Sequence, residues 1–99
     1  MEKNKTISQI LTVLEIEALL RESKVDDAYT QLNLLLELEP NNAYAWYLLG
    51  GIYRRQQLWG EAINAFNKAK MLAPNGPAAV AIESIYEILN YRNTDLMNP

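Results

Sequence analysis

The sequence of 99 residues contains no cysteine and no histidine. Without cysteine there is no disulfide, no thiolate nucleophile and no Cys-ligated zinc. Without histidine there is no Ser–His triad, no imidazole acid–base pair and no imidazole–metal site. Basic residues are also few: nine Lys and Arg stand against twelve Asp and Glu, for a formal net charge of −3. They are scattered from Lys3 to Arg92 with no run that could track phosphates, so nucleic acid is not an expected partner. No apolar run reaches the ~18 residues a membrane span needs, so no membrane association is expected. The stretch from Ile7 to Leu20 follows Lys3 and Lys5, as a leader would, but Gln9, Glu15 and Glu17 interrupt it and no small-residue cleavage site follows. A cytoplasmic protein is the expectation.

The remaining candidates for chemistry have plainer explanations. Asp26-Asp27 opens a helix, where carboxylates suit the positive helix end and its free N–H groups. Glu83 and Glu87 are one helical turn apart and read as a solvated face. Gly50-Gly51 falls inside a helix, where close packing accounts for both; it is no phosphate loop. The chain is therefore not expected to be an enzyme, nor to need a cofactor or a metal.

What is present is a repeat. Hydrophobic residues make up 49% of the chain, enough for one globular domain and, at this length, not for two. Pro40 and Pro74 lie 34 positions apart, as do Ala28 and Ala62, each preceded by an acid, Asp27 or Glu61. The flanks agree as well, Leu38-Glu39-Pro40-Asn41 against Leu72-Ala73-Pro74-Asn75. From Trp46 the chain runs Trp46-x-x-Leu49-Gly50-x-x-Tyr53, then Ala62-x-x-x-Phe66, then Pro74. At roughly 5% usage per residue type, seven such matches at one start arise by chance about once in 10⁹ trials.

In period and in all seven letters this resembles the tetratricopeptide repeat (TPR), and the chain resembles a short TPR protein of bacterial type. The letters have physical work to do. Gly50 and Ala62 are small where antiparallel helices approach closely, Trp46, Leu49, Tyr53 and Phe66 fill the space between them, and Pro74 ends the second helix. Trp59 reads as packing at the start of that helix. A Gly is common at the turn between the paired helices, yet this chain has Ser23 and Gln57 there, which leaves the turn conformation open.

The resemblance implies an all-α fold of antiparallel helix pairs, about two TPR units plus a C-terminal capping helix, as a fragment of a right-handed α-solenoid. Residues 1–99 form one domain: 9–42 a degenerate repeat, 43–76 a clear one, 77–91 the capping helix and 92–99 a loose tail. Helices are expected over about 6–22, 25–38, 43–56, 59–72 and 77–91. In the first copy Thr12, Glu15 and Ile16 stand where Trp46, Leu49 and Gly50 stand in the second, so its first helix is expected to pack about one residue out of register. Ile7, Ile10, Leu11, Leu14 and Ala18 recur at helical spacing, while Val13, Ile16 and Leu20 make another side apolar. In the last helix Ile82, Ile85, Tyr86 and Leu89 form the apolar face, and Glu83, Glu87 and Asn90 the wet one.

By the same resemblance, the first helix of each repeat lines a concave groove that receives a peptide or a partner helix. The family pattern places Tyr44, Tyr47, Gly51, Arg54 and Arg55 in it from the middle helix, and Ile10, Val13, Glu17 and Leu20 from the first. An aromatic pair beside an Arg is the composition of interaction hot spots. Neither Tyr47 nor Arg54 is a signature letter, so truncating them should leave the core intact. One TPR subfamily clamps the C-terminal carboxylate of heat-shock chaperones, but the matching places here hold Val13, Glu17, Leu48, Ala78 and Ile82, none of which binds a carboxylate. The expected function is a protein-interaction module, a scaffold with a polypeptide partner. A self-associating homo-oligomer and a small secretion-type TPR chaperone are the alternatives.

Overall fold

The computed structural model describes the backbone of residues 2–97 and the side chains of 12–91. Five helices follow one another: α1 (Glu2–Arg21), α2 (Val25–Leu38), α3 (Ala43–Arg55), α4 (Trp59–Leu72) and α5 (Ala78–Met97). Among the described residues there is no strand. Each helix packs on the next in sequence, most extensively α3 on α4. The result is elongated, 61 × 28 × 18 Å, with a radius of gyration of 15.3 Å. A compact globule of this length would have about 13 Å, so the helices are stacked in a row rather than gathered about one centre.

Local sequence explains the helix bounds. Asn42 caps α3, its side chain accepting from the Ala45 N–H at 3.0 Å. Pro40 and Pro74 lie just beyond α2 and α4, where their rings prevent continuation. Asp26 and Asp27 sit in the first turn of α2, where they suit the helix dipole; Lys24 is the N-cap and makes no side-chain cap bond. Ser23 and Gln57 resolve the open question of the turns. Their φ angles are 63° and 60°, so both stand in the left-handed cap conformation that glycine otherwise supplies.

The expected bounds of α2 and α4 are those observed, and the ends of the chain differ. The capping helix does not stop at Tyr91: α5 continues to Met97, so most of the expected tail of 92–99 is helical. Nothing between Tyr91 and Met97 is a glycine or proline that would end it. At the other end, α1 begins at Glu2 rather than near residue 6.

The core has two adjoining parts. Ile16, Ala28, Leu32, Leu35, Leu36, Ala45, Leu48, Leu49, Ile52 and Ala65 bury one between α1, α2, α3 and α4. Ala62, Phe66, Ala69, Ala78, Ala81, Ile82 and Ile85 bury the other between α4 and α5. Trp46 and Tyr53 touch both, which is how one repeat's large residues join the stack. Trp59 and Ile63 pack half-buried on the second part, in keeping with the packing role expected of Trp59.

Two apolar faces need correction. In α1 burial moves one residue along from the repeat position: Ile16 is fully buried, Glu15 is exposed, and Val13, Leu19 and Leu20 pack beside Ile16. Leu14, expected in the apolar stripe, is 53% exposed, because an end helix has a neighbour on one side alone. Ile7, Ile10 and Leu11 lie outside the residues whose side chains are described. In α5, Ile82, Ile85 and Leu89 face inward and Glu83, Glu87 and Asn90 face water, but Tyr86 turns to the exposed side.

A candidate protein-binding groove

The groove begins with the helical period. On α3, residues 44, 47, 51, 54 and 55 recur at spacings of three and four, so they share one side of the helix. The signature letters Trp46, Leu49, Gly50 and Tyr53 take the other side, against α4. Neighbouring helices then bring their own residues to the free side. A pocket of about 160 Å³ is lined by Leu20 of α1, by Tyr47, Leu48, Gly51, Ile52, Arg54 and Arg55 of α3, by Phe66 of α4 and by Ala81 of α5. Five of the residues assigned to the groove from sequence therefore meet in one cavity.

The two arginines are anchored. Arg54 Nη2 donates to Ser84 Oγ of α5 at 3.1 Å, and Arg55 Nη1 donates to the Leu20 carbonyl of α1 at 3.4 Å. They thus reach from α3 to its neighbours on either side, and Arg55 places its charge at the negative end of α1. Neither has a carboxylate partner among the described residues, where the ion pair seen is Lys24 with Glu22, at 3.4 Å on the surface.

The aromatic end of the groove lies about three turns toward the N-terminus of α3. Tyr44 and Tyr47 stack, with centroids 5.8 Å apart and planes at 26°. Both line a second pocket of about 170 Å³, closed by Ala69, Ala73, Gly76, Pro77 and Ala78. Burial, followed by the nearby Glu17 carboxylate, pushes the Tyr44 phenol pKa up, which places Glu17 of α1 beside Tyr44. Of the remaining expected groove residues, Val13 lines neither pocket and packs half-buried against the core, and the side chain of Ile10 is not described.

Two expectations change here. Tyr47 is not free of the core: its ring lies 5.6 Å from that of Phe66, and it packs against the α4–α5 cluster. Truncating it removes packing as well as groove surface. The glycine pair also divides into two roles. A Cβ on Gly50 would lie 2.6 Å from the Phe66 ring, whereas a Cβ on Gly51 would meet nothing within 4 Å. Close packing accounts for Gly50; Gly51 leaves an opening in the groove floor.

Sequence reasoning did not find a third cleft, of about 350 Å³, on the other side of α3. Trp46, Leu49, Tyr53, Glu61, Asn64, Ala65 and Lys68 line it. The Tyr53 hydroxyl lies 3.4 Å from that of Tyr29, and that hydrogen bond, ahead of burial, pushes the Tyr53 pKa up to about 12. Trp46 Nε1 donates to the Pro40 carbonyl at 2.8 Å, which ties the signature tryptophan to the inter-repeat loop. No pattern along either helix alone marks this cleft, because it forms where Trp46, Leu49 and Tyr53 of α3 meet Glu61, Asn64, Ala65 and Lys68 of α4.

Set beside known proteins, residues 43–75 match the family described as the tetratricopeptide repeat. Bacteroides fragilis protein BF1650, known from a solution NMR structure, is 33% identical with a TM-score of 0.73, over 85% of this chain and 86% of that one. The chain belongs to the tetratricopeptide-repeat family. It is also similar to the TPR domain-containing protein PYG7, chloroplastic, of Arabidopsis thaliana, at 28% identity over 76 residues. That match covers 77% of this chain, which spans a quarter of the relative's length. TPR domains in general mediate protein–protein interaction and are scaffolds rather than catalysts. No helix among the described residues is long and apolar enough to cross a membrane.

Proposed function

We propose that this TPR chain is a cytoplasmic binding module that receives a partner polypeptide in the groove formed by α1, α3 and α5. The observation that carries the reading is the open floor at Gly51. A glycine inside a helix costs about 1 kcal/mol relative to alanine, and here no neighbour requires it. Around it, residues of α1, α3 and α5 converge on one pocket whose floor is apolar and whose rim is cationic. A bound segment would gain apolar burial over Leu20, Tyr47 and Ala81 and polar contacts at the rim.

Gly51→Trp tests the reading, because a Cβ at this position meets no neighbour within 4 Å and the ring would occupy the opening. Proteins recovered from source-cell extract on the wild-type chain should be lost on Gly51→Trp, with the melting temperature maintained. Partners retained equally by both would place binding elsewhere.

Self-association is the second reading, and the exposed leucines favour it. Leu14 of α1, and Leu34 and Leu38 one turn apart on α2, are each more than half exposed, Leu38 by 82%. Light scattering on the pure protein separates the two: a monomer at working concentration supports the groove, and a stable dimer supports the leucine surface.

A further inference from the structure

We infer that the occupant of the groove is a peptide segment carrying a carboxylate close to an apolar side chain, and that Arg54 and Arg55 hold the carboxylate. The inference rests on the groove being the binding face, and it specifies what that face selects.

Charge on the groove runs against that of the chain. The sequence is net −3, yet the rim at the C-terminal end of α3 presents two guanidinium groups to one pocket, Arg54 from the side of α5 and Arg55 from the side of α1. Both bond to neutral oxygens, Ser84 Oγ and the Leu20 carbonyl, and no carboxylate of a described residue lies within 4.0 Å of either. Each guanidinium has five N–H donors, of which these contacts engage one. The planar fork that remains matches a carboxylate, and the existing anchors reduce the freedom lost when it binds.

The opposite end has the other sign. Tyr44 stands ten residues before Arg54, about 15 Å along the helix, and Glu17 lies beside it. A ligand carboxylate is repelled near Glu17 and drawn to the arginines, so the groove sets the direction of its ligand. Between the ends lies the opening over Gly51, floored by Leu48, Ile52 and Phe66. Gly51 precedes the arginines by about one helical turn, or ~5 Å. An extended ligand spans that distance in one to two residues, so its acid should follow closely on the apolar side chain.

The test is selection from a random linear-peptide display library on the immobilised full chain. Selected peptides are then titrated by fluorescence anisotropy against the wild type, Gly51→Trp, the reversal Arg54→Glu with Arg55→Glu, and the neutral pair Arg54→Gln with Arg55→Gln. Glutamine removes the charge but keeps a polar N–H donor and introduces no carboxylate, so this pair guards against a misfolded reversal. The expected peptides place Asp or Glu within a residue or two of an apolar residue. Their affinity falls at least about tenfold on reversal, falls less on neutralisation and weakens as salt rises, while the reversed protein selects Lys and Arg instead.

Peptides abolished by Gly51→Trp but neither acidic nor sensitive to the arginines would overturn the inference and leave the groove intact. Peptides indifferent to Gly51→Trp would overturn both. A wild-type dimer that Gly51→Trp converts to monomer would make a second copy the occupant, and would overturn the acidic-peptide assignment.

Discussion

Gly50 of α3 lies directly against the ring of Phe66 in α4: a Cβ placed on Gly50 would stand 2.6 Å from both Cδ1 and Cε1. Phe66 is almost fully buried between α4 and α5, so the ring cannot swing away into solvent. The crossing of α3 and α4 is thus set by a missing side chain and a large one.

Gly50→Leu should therefore destabilise the fold by at least about 1–3 kcal/mol, the usual cost of overpacking. Gly50→Ala is subtler, since alanine's helix propensity offsets about 1 kcal/mol of the clash. Adding Phe66→Leu should recover part of the loss, because the two sites are in contact and their effects are not additive. Urea midpoints for the single and double variants measure the coupling. A Gly50→Leu midpoint equal to wild type would show that the crossing has room.

The neighbouring glycine should respond with the opposite sign. Gly51→Ala meets nothing within 4 Å and removes a helix-interior glycine, so stability should rise by about 1 kcal/mol. The same urea titration reports it, and a loss of stability would mean that Gly51 packs against something.

Left-handed φ at non-glycine residues offers a third test. Ser23 and Gln57, at φ 63° and 60°, hold a conformation that costs an L-residue about 1–2 kcal/mol. Glycine relieves that strain but loses more freedom on folding, so Ser23→Gly and Gln57→Gly should each stabilise by about 0.5–1 kcal/mol. Calorimetric melting of each variant decides the sign; lower melting temperatures would contradict the turn geometry.

Tyr47→Ala should lower stability by about 1–2 kcal/mol, because the ring packs on both Tyr44 and Phe66. Arg54→Ala should change it by under about 0.5 kcal/mol, its contacts being exposed. Equal melting temperatures for the two would show that Tyr47 is surface alone.

Much of this architecture was legible because the signature letters are packing constraints. A small residue at 50 and 62, bulk at 46, 49, 53 and 66, and a proline at 74 locate α3 and α4 almost to the residue. The period then carries α2 from α4, since Ala28, Leu32, Leu35 and Pro40 repeat the same demands. Where the letters stop, so did the resolution. The side of α1 that is buried depends on having one neighbour, which an apolar-all-round helix does not reveal, and the length of α5 depends on the absence of a breaker. On the groove, the resemblance to the repeat family assigned Tyr47, Gly51, Arg54 and Arg55 of α3 and Leu20 of α1 to the concave side. It did not show that Tyr47 also packs on Phe66, or that Gly51 has open space above it, because both depend on residues contributed by other helices.

The central claim is that a partner sits in the groove. Amide chemical-shift mapping of the isotope-labelled chain, titrated with a partner recovered from source cells or a selected peptide, tests it most directly. The account predicts shifts gathered on the free face of α3 from Tyr44 to Arg55, on Glu17 and Leu20 of α1 and on Ala81 and Ser84 of α5. Shifts centred instead on Leu34 and Leu38 of α2, or on Glu61, Asn64 and Lys68 of α4, with the groove unmoved, would contradict it.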